Sequence, residues 1–205
     1  MRKNVKVDTT SGKNGQGKDE KIFAEAVRVF RQKGYHAASM QNIADAVGLQ
    51  KGSLYHYISS KEELLFKIFE RSTGALTQQL EAIINSQDSP SDKLRHAMEA
   101  HLVALCEPLD IYTVYLSERR ALSGRYHAKV RAEGARHARL LEQIIQQGIA
   151  SKDFRAVDPK MAAHAILGMC NWLYQWYSPD GRLTPNEIAA IFSNMTTDGL
   201  ARRSK

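Results

Sequence analysis

Three hydrogen-bonding side chains and a glycine stand together in the segment QKGS at residues 50–53. Gln50, Lys51 and Ser53 carry amide, ammonium and hydroxyl groups. Such groups read the edges of bases when they lie near the N-terminus of a helix in the major groove. Gly52 has no side chain, so the backbone can come close to a partner. The chemistry that this segment favours is recognition of double-stranded DNA.

Groups suited to binding phosphate follow directly along the chain. Tyr55 and His56 offer a hydroxyl and a ring nitrogen for the DNA backbone. Lys61 offers an ammonium at the start of a predicted long helix, whose first N–H groups also favour anions. These residues predict contacts that hold the DNA backbone while residues 50–53 read the bases.

The distribution of charge agrees with a DNA-binding segment near the N-terminus. Residues 1–61 carry 11 Lys and Arg against 5 Asp and Glu, whereas residues 62–205 carry 18 against 17. Six of the seven excess positive charges therefore lie in the first 61 residues. A basic segment joined to a nearly neutral body is typical of a nucleic-acid-binding module attached to a separate domain.

Helical spacing of apolar residues runs through the whole chain after a polar, glycine-containing start at residues 1–18, which predicts a flexible basic arm. The fold class predicted is all-α, with about nine helices. They cover approximately residues 19–33, 40–47, 51–57, 61–85, 90–105, 109–122, 126–148, 159–176 and 185–195.

The first four helices are marked by residues that start and stop helices. Ser39 is a good N-cap, Gly48 allows a sharp turn, and Ser60 with Glu63 forms a capping-box pattern. Two short helices separated by a glycine turn need a third helix to supply their core. This arrangement predicts a three-helix helix-turn-helix unit whose second short helix is presented outward.

The segment SMQNIADAVGLQKGSLYHYISSKEELLFKIFE, residues 39–70, resembles the DNA-binding domain of the TetR family of repressors. The resemblance covers residues 20–70, with Ile58 standing where the family usually has phenylalanine. It implies DNA contacts from a set of polar residues. Base contacts are implied for Gln50, Lys51 and Ser53, and phosphate contacts for Ser39, Gln41, Tyr55, His56 and Lys61.

The same resemblance implies a second helical domain that dimerises through its last two helices and encloses a ligand pocket. The domains expected are an arm at 1–18, a DNA-binding domain at 19–71 and a ligand-binding and dimerisation domain at 72–205. The stretch GMCNWLYQWYSPDGRLTPNEIAAIF, residues 168–192, resembles regulators of fatty-acid and steroid degradation, for which acyl-CoA thioesters are common effectors. Candidate pocket residues are Tyr112, Tyr115, Arg119, Cys170, Trp172, Tyr174 and Trp176.

A cluster of cations could serve the phosphates of such a thioester. Residues 119–139 hold seven Lys and Arg against the single acid Glu133. A solvated helix face explains this run better than phosphate binding does.

Enzymatic and metal chemistry find no support in the sequence. His101, His137 and His164 fall on separate predicted helices, and no carboxylate shares a ligand-like spacing with them. Motifs for a serine nucleophile, a zinc protease or a phosphate-binding loop are missing from the sequence. We therefore expect no catalytic site, no metal and no cofactor.

The cysteines and the hydropathy of the sequence predict the cellular compartment. Cys106 and Cys170 are 64 positions apart and form neither a disulfide framework nor a zinc-ligand pattern. No apolar run approaches the roughly 18 residues of a membrane span, and the N-terminus lacks a signal peptide. We expect a soluble bacterial protein of the reducing cytoplasm, associated with the nucleoid when bound to DNA.

The function predicted is a repressor that binds a near-palindromic operator as a dimer and is released by a small molecule. A multidrug-sensing repressor of an efflux pump is an alternative, favoured if acidic residues line the pocket. A non-specific nucleic-acid-binding protein would show steep salt dependence with little sequence preference. An enzyme with a helical pocket would need convergent catalytic groups.

Overall fold

The computed structural model describes residues 11–200, with side chains from residue 17 onward. The regular elements in this range are all helical, which confirms the all-α prediction. They are α1 (Ser11–Lys33), α2 (Met40–Val47), α3 (Lys51–Tyr55), α4 (Lys61–Ile84), α5 (Pro90–Cys106), α6 (Leu109–Glu118), a 3₁₀ turn (Arg119–Ala121), α7 (Gly124–Ser151), α8 (Pro159–Asn171), α9 (Leu173–Trp176) and α10 (Pro185–Leu200).

The chain divides into two compact units, Met1–Leu64 and Leu65–Lys205. In the first unit, α1 buries a stripe of apolar residues at helical spacing that includes Ile22, Ala26 and Phe30. Helix α1 packs on α2, and α2 packs on α3. The core of this unit therefore comes from three helices, two of which are too short to be stable alone.

The ends of α2 follow the sequence closely. Ser39 Oγ accepts a hydrogen bond from the Asn42 N–H at 3.2 Å, and Asn42 Oδ1 accepts one from the Ser39 N–H at 3.1 Å. Gly48 ends the helix with φ at +78°, in the left-handed region that favours glycine. These two caps fix the turn that separates α2 from α3.

Helix α5 is central to the second unit, where it packs against α10, α7 and α8. Its apolar face is fully buried through Leu94, Leu102 and Leu105. The helix begins as predicted, because Ser89 Oγ accepts from the Asp92 N–H at 3.1 Å and Pro90 occupies the first turn. This packing positions α4 to α8 around a cavity.

Two elements differ from the sequence prediction. Helix α1 begins at Ser11, so the backbone of residues 11–18 is helical where the sequence predicts a flexible arm. Extending an established helix needs only one residue to be fixed for each hydrogen bond gained. Residues 1–10, the rest of that arm, lie outside the described residues. The eighth predicted helix is divided into α8 and α9 at Trp172, where ψ is −15°.

None of the helices within residues 11–200 is long and apolar enough to cross a membrane.

Gly148 is the point where α7 receives the ring of Phe154. A Cβ built at position 148 would lie 2.1 Å from a ring carbon of Phe154, and that ring is buried. We expect Gly148→Ala to lower the free energy of unfolding by about 2 kcal/mol, because overfilling a packed site forces neighbours to move. Thermal unfolding measures this, with Gly134→Ala as a control on the same helix, since its Cβ would meet nothing within 4 Å. Equal stability of the two variants would contradict this packing.

Candidate functional site

The predicted base-reading residues lie on the outer side of the α2–turn–α3 arrangement in the first unit. Gln50, Lys51 and Gly52 are exposed and Ser53 is half-buried, whereas Leu54 is completely buried and anchors α3. Gln50 occupies the N-cap position, but its side chain makes no capping hydrogen bond. The polar groups predicted to read bases therefore face solvent, on a helix that Leu54 anchors to the core.

Gly52 has no structural reason to be glycine within its own unit. It is exposed, its φ is not positive, and a Cβ built on it would meet nothing within 4 Å. Glycine in a helix is less stable than alanine by about 0.5–1 kcal/mol. A close approach of the backbone to an external partner would explain why this position has no side chain.

The residues predicted to bind phosphate surround this helix. Tyr55 is 46% exposed, and His56 is exposed beside it. Gln41 is exposed, and its Nε2 donates to Asp45 Oδ1 at 2.7 Å. Ser39 uses its oxygen to accept the capping bond of α2, so its own O–H still remains to donate. These four residues keep groups that can contact a phosphate.

Lys61, which is predicted to contact phosphate, forms hydrogen bonds within the first unit. Its ammonium donates to the carbonyls of Tyr35 at 2.7 Å, of His36 at 3.3 Å and of Ala38 at 2.8 Å. The Nζ also lies 4.4 Å from the centroid of the Tyr35 ring. An ammonium has three donors, and all three are used within the protein. Lys61 therefore ties the segment between α1 and α2 to the start of α4.

The capping pattern of α4 is confirmed in part. Ser60 Oγ accepts from the Glu63 N–H at 3.0 Å, as the sequence predicts. The carboxylate of Glu63 accepts from the Ser59 N–H at 2.9 Å and not from that of Ser60, so the reciprocal bond is displaced by one residue.

We expect Lys61→Met to lower the free energy of unfolding of the chain by about 1–2 kcal/mol, because three carbonyls lose a charged donor. The salt dependence of DNA affinity should stay the same, since a residue that binds no phosphate releases no counterion. Thermal unfolding and a salt titration of DNA binding measure the two effects, with exposed Lys33→Met as the control. If Lys61→Met were as stable as the unaltered chain and its DNA affinity depended less steeply on salt, Lys61 would be a phosphate contact.

A cavity of about 340 Å³ lies within the second unit, among α4, α5, α6, α7 and α8. This volume is at the lower end of the range for small-molecule sites. Its apolar lining includes Leu76, Leu116, Ala138 and Leu167. Its polar lining consists of Thr73, Thr77, His101, Tyr112, Tyr115, Arg119, Glu133, His137, His164 and Asn171.

Three of the seven predicted pocket residues line this cavity: Tyr112, Tyr115 and Arg119. The Tyr112 hydroxyl donates to the carbonyl oxygen of Ser72. Burial raises the pKa of both tyrosines, so they remain neutral phenols. This wall of the cavity is therefore polar but uncharged except at Arg119.

The other four predicted pocket residues lie elsewhere. Cys170 is buried against a separate, much smaller cavity, and Tyr174 is outside the 340 Å³ cavity. Trp172 is 61% and Trp176 49% exposed. The buried face of α8 and α9 instead carries Ala163, Ile166, Cys170 and Leu173, so Trp172 and Trp176 lie on the exposed side of these helices. The four predicted residues are not part of the cavity lining.

Both cysteines are buried free thiols. Burial raises the pKa of Cys106 to about 11 and that of Cys170 to about 12, so neither is a reactive thiolate.

The structure brings together three histidines that the sequence places on separate helices. His101 from α5, His137 from α7 and His164 from α8 all line the cavity. His101 Nδ1 lies 3.4 Å from His137 Nε2, and His101 Nε2 lies 2.9 Å from Asn171 Oδ1. A histidine on the apolar face of a predicted helix, as at His101 and His137, is the signal that would have indicated this cluster.

His101 and His137 are both neutral near pH 7. Burial lowers the pKa of His101. Burial, and to a lesser extent the neighbouring His101, lowers the pKa of His137 to about 3. Among residues 17–200, no group of three or more His, Cys, Asp or Glu side chains could hold a metal ion.

The cationic run of residues 119–139 does not act as one site. Arg136 pairs with Glu81 and lies 3.7 Å from Glu133. The Lys129 ammonium lies 5.2 Å from the centroid of the Phe66 ring. Only Arg119 of this run lines the cavity, as does the acid Glu133. Most of the run is therefore a solvated helix face, as the sequence analysis favoured.

A helix-turn-helix unit in the same chain as a helical unit with a small-molecule cavity defines the class of ligand-responsive transcription regulators. The chain matches the family model of bacterial regulatory proteins, tetR family, over residues 22–68. It also matches that of the tetracyclin repressor-like C-terminal domain over residues 87–200. The chain belongs to the TetR family. Members of this family are DNA-binding regulators rather than enzymes, bind operators as dimers and respond to small-molecule ligands.

Several characterised proteins are similar along most of the chain. The TetR family transcriptional regulator PfmR from Thermus thermophilus is 35% identical, with a TM-score of 0.82 over 88% of this chain and 99% of that one. AibR, solved in complex with isovaleryl coenzyme A and operator DNA, is 31% identical, with a TM-score of 0.78 over 87% of this chain and 97% of that one. The transcriptional repressor KstR2 of Rhodococcus jostii is 27% identical over 95% of both chains.

Proposed function

We propose that the chain is a repressor that binds a near-palindromic operator as a homodimer and leaves it when an acyl-CoA thioester binds. Residues 19–71 form the DNA-binding domain in this proposal, and residues 72–205 form the ligand-binding and dimerisation domain. The observation that carries it is the cavity of about 340 Å³ in a chain that also presents QKGS at the start of an exposed helix.

The DNA surface consists of the exposed polar residues around α3. Base contacts come from Gln50, Lys51 and Ser53, with Gly52 allowing close approach. Phosphate contacts come from Ser39, Gln41, Tyr55 and His56. The exposure of these side chains and the internal hydrogen bonds of Lys61 support this reduced set.

Dimerisation uses the last two long helices, α8 and α10. Large apolar side chains are exposed on or beside both: Met161 and Trp172 at α8, and Ile191 and Met195 on α10. A group of exposed apolar side chains marks an interaction surface. A two-fold pairing of these helices would cover it and would place two copies of α3 against a symmetric operator.

The cavity holds the acyl part of the effector, because 340 Å³ is too small for a drug-sized ligand together with a nucleotide. Arg119 lines the cavity and is exposed, so its guanidinium can reach an anionic group outside it. Glu133 in the same lining balances this charge, so charge alone does not separate thioesters from cationic drugs. The similarity to AibR, which binds isovaleryl coenzyme A, supports the thioester.

Release follows if the effector binds one conformation of the dimer better than the other. A preference of about 100-fold would weaken DNA binding by about 2.7 kcal/mol, which is enough to switch a promoter. The coupling is reciprocal, so DNA should weaken effector binding by the same factor.

Thermal unfolding tests the effector class. We would titrate the chain with short acyl-CoA esters, with the matching free acids and with cationic dyes. The proposal expects stabilisation by thioesters that is weaker in Arg119→Ala than in the control Arg131→Ala, an exposed cation outside the cavity lining. Stabilisation by dyes alone would overturn the thioester and support the drug-sensing alternative.

A further inference from the structure

Thr77 is a buried polar residue of α4 that lines the cavity without using its hydroxyl. The residue is 1% exposed, and its Oγ1 has no hydrogen-bond partner among the described residues. Other hydroxyl residues of this unit bond to the carbonyl one turn back. The Ser72 hydroxyl donates to the Ile68 carbonyl at 2.7 Å, and that of Thr73 donates to the Phe69 carbonyl at 3.0 Å.

This difference points to a ligand. A buried hydroxyl without a partner is unfavourable and uncommon. Thr77 does not form the bond to the carbonyl one turn back that Thr73 forms. A polar group on a molecule in the cavity would supply the missing partner.

The histidine pair presents a complementary group to the same cavity. Asn171 Oδ1 only accepts, so His101 Nε2 carries the hydrogen of their 2.9 Å bond. A neutral imidazole then has an accepting Nδ1, and His137 Nε2 must be the donor in the bond between the two rings. This leaves His137 Nδ1 as an acceptor, with no partner among the residues that the structure describes.

We propose that the acyl group of the effector carries a hydroxyl, which donates to His137 Nδ1 and hydrogen-bonds with Thr77 Oγ1. The inference rests on the proposed function, since it assigns the class of acyl group for the thioester site. Thr77 and His137 line the same cavity from different helices, α4 and α7.

Other acyl classes fit this pair less well. A ketone or an unsubstituted chain cannot donate to His137 Nδ1. A carboxylate only accepts hydrogen bonds, so it cannot donate to His137 Nδ1 either. A hydroxyl alone both donates and accepts.

The test measures dissociation constants by calorimetry for butanoyl-CoA, 3-hydroxybutanoyl-CoA and 3-oxobutanoyl-CoA, and for longer homologues matched in chain length with the hydroxyl at successive positions. Each is measured on the unaltered chain, Thr77→Val, Thr77→Ser and Thr73→Val. Valine keeps the shape of threonine and removes the hydroxyl. Thr73 also lines the cavity, but its hydroxyl is already bonded, so it is the matched control.

We expect at least one hydroxyacyl-CoA to bind about tenfold more tightly than its saturated and oxo counterparts, which corresponds to about 1.4 kcal/mol. Thr77→Val should abolish this preference without weakening the saturated ester, whereas Thr77→Ser and Thr73→Val should retain it. Equal binding of matched esters, a preference for the oxo form, or equal loss for all esters in Thr77→Val would overturn the inference. If no thioester binds, the proposed function itself fails.

Discussion

Alanine at both Lys51 and Tyr55 is expected to weaken operator binding by at least a hundredfold while leaving thermal stability unchanged. Both side chains are exposed, so the fold loses little when they are removed. Each contact is present in both half-sites of a dimer, so a loss of about 1.5 kcal/mol per half-site becomes about 3 kcal/mol per operator. Fluorescence anisotropy with a selected operator at fixed salt measures the loss.

Two further variants separate recognition from charge. Arg131→Ala removes an exposed cation from α7 and should leave operator affinity unchanged. Gly52→Ala should make the chain more stable by about 0.5–1 kcal/mol, yet weaken operator binding, because the added methyl group obstructs close approach. If Gly52→Ala binds the operator normally, the backbone of α3 does not approach DNA closely at this position.

Acid should destabilise the second unit through the histidine pair that lines the cavity. His137 has a pKa of about 3 in the folded protein and about 6.5 when unfolded. The unfolded chain therefore binds more protons between these values, so the contribution is fully present above pH 6.5 and is lost as the pH falls. The loss is about 1.4 kcal/mol per pH unit, or about 3 kcal/mol at pH 4.5 for His137 alone. The lowered pKa of His101 acts in the same direction.

Chemical denaturation at about pH 7.5 and pH 4.5 measures this effect. His137→Gln keeps an N–H that can bond to His101 but does not titrate, so it should lose about 3 kcal/mol less than the unaltered chain between the two pH values. His127→Gln is the matched control, because His127 is exposed on the same helix. The same acid sensitivity in both variants would show that His137 does not stay neutral in the folded protein.

The sequence predicted the first unit in most of its detail, for a physical reason. Helix starts and stops depend on local groups, such as the hydroxyl of Ser39 and the positive φ of Gly48, which the sequence states directly. The apolar stripe of α1 is equally local. Lys61 shows the limit, because its three partners lie 23 to 26 residues away in the chain. Spacing cannot show that a cation's donors are occupied by distant carbonyls.

The cavity was harder to predict, since it depends on how five helices pack. Tyr112, Tyr115 and Arg119 lie on one helix and the turn after it. Identifying the inward face of that helix was therefore enough to predict all three. The histidines come from α5, α7 and α8, and their proximity exists only after these helices pack. That the Thr77 hydroxyl lacks a hydrogen-bond partner likewise depends on where the neighbouring side chains and carbonyls lie. Such features become visible only with atomic positions.

The most direct test of the account is release of a selected operator by a thioester. The chain, bound to labelled near-palindromic DNA at fixed salt, is titrated with short acyl-CoA esters, with free coenzyme A and with the free acids. We predict two chains per operator, much weaker binding to scrambled DNA, and release by a thioester but by neither of its parts. Equal affinity for scrambled DNA, or a complex that every thioester leaves intact, would contradict it.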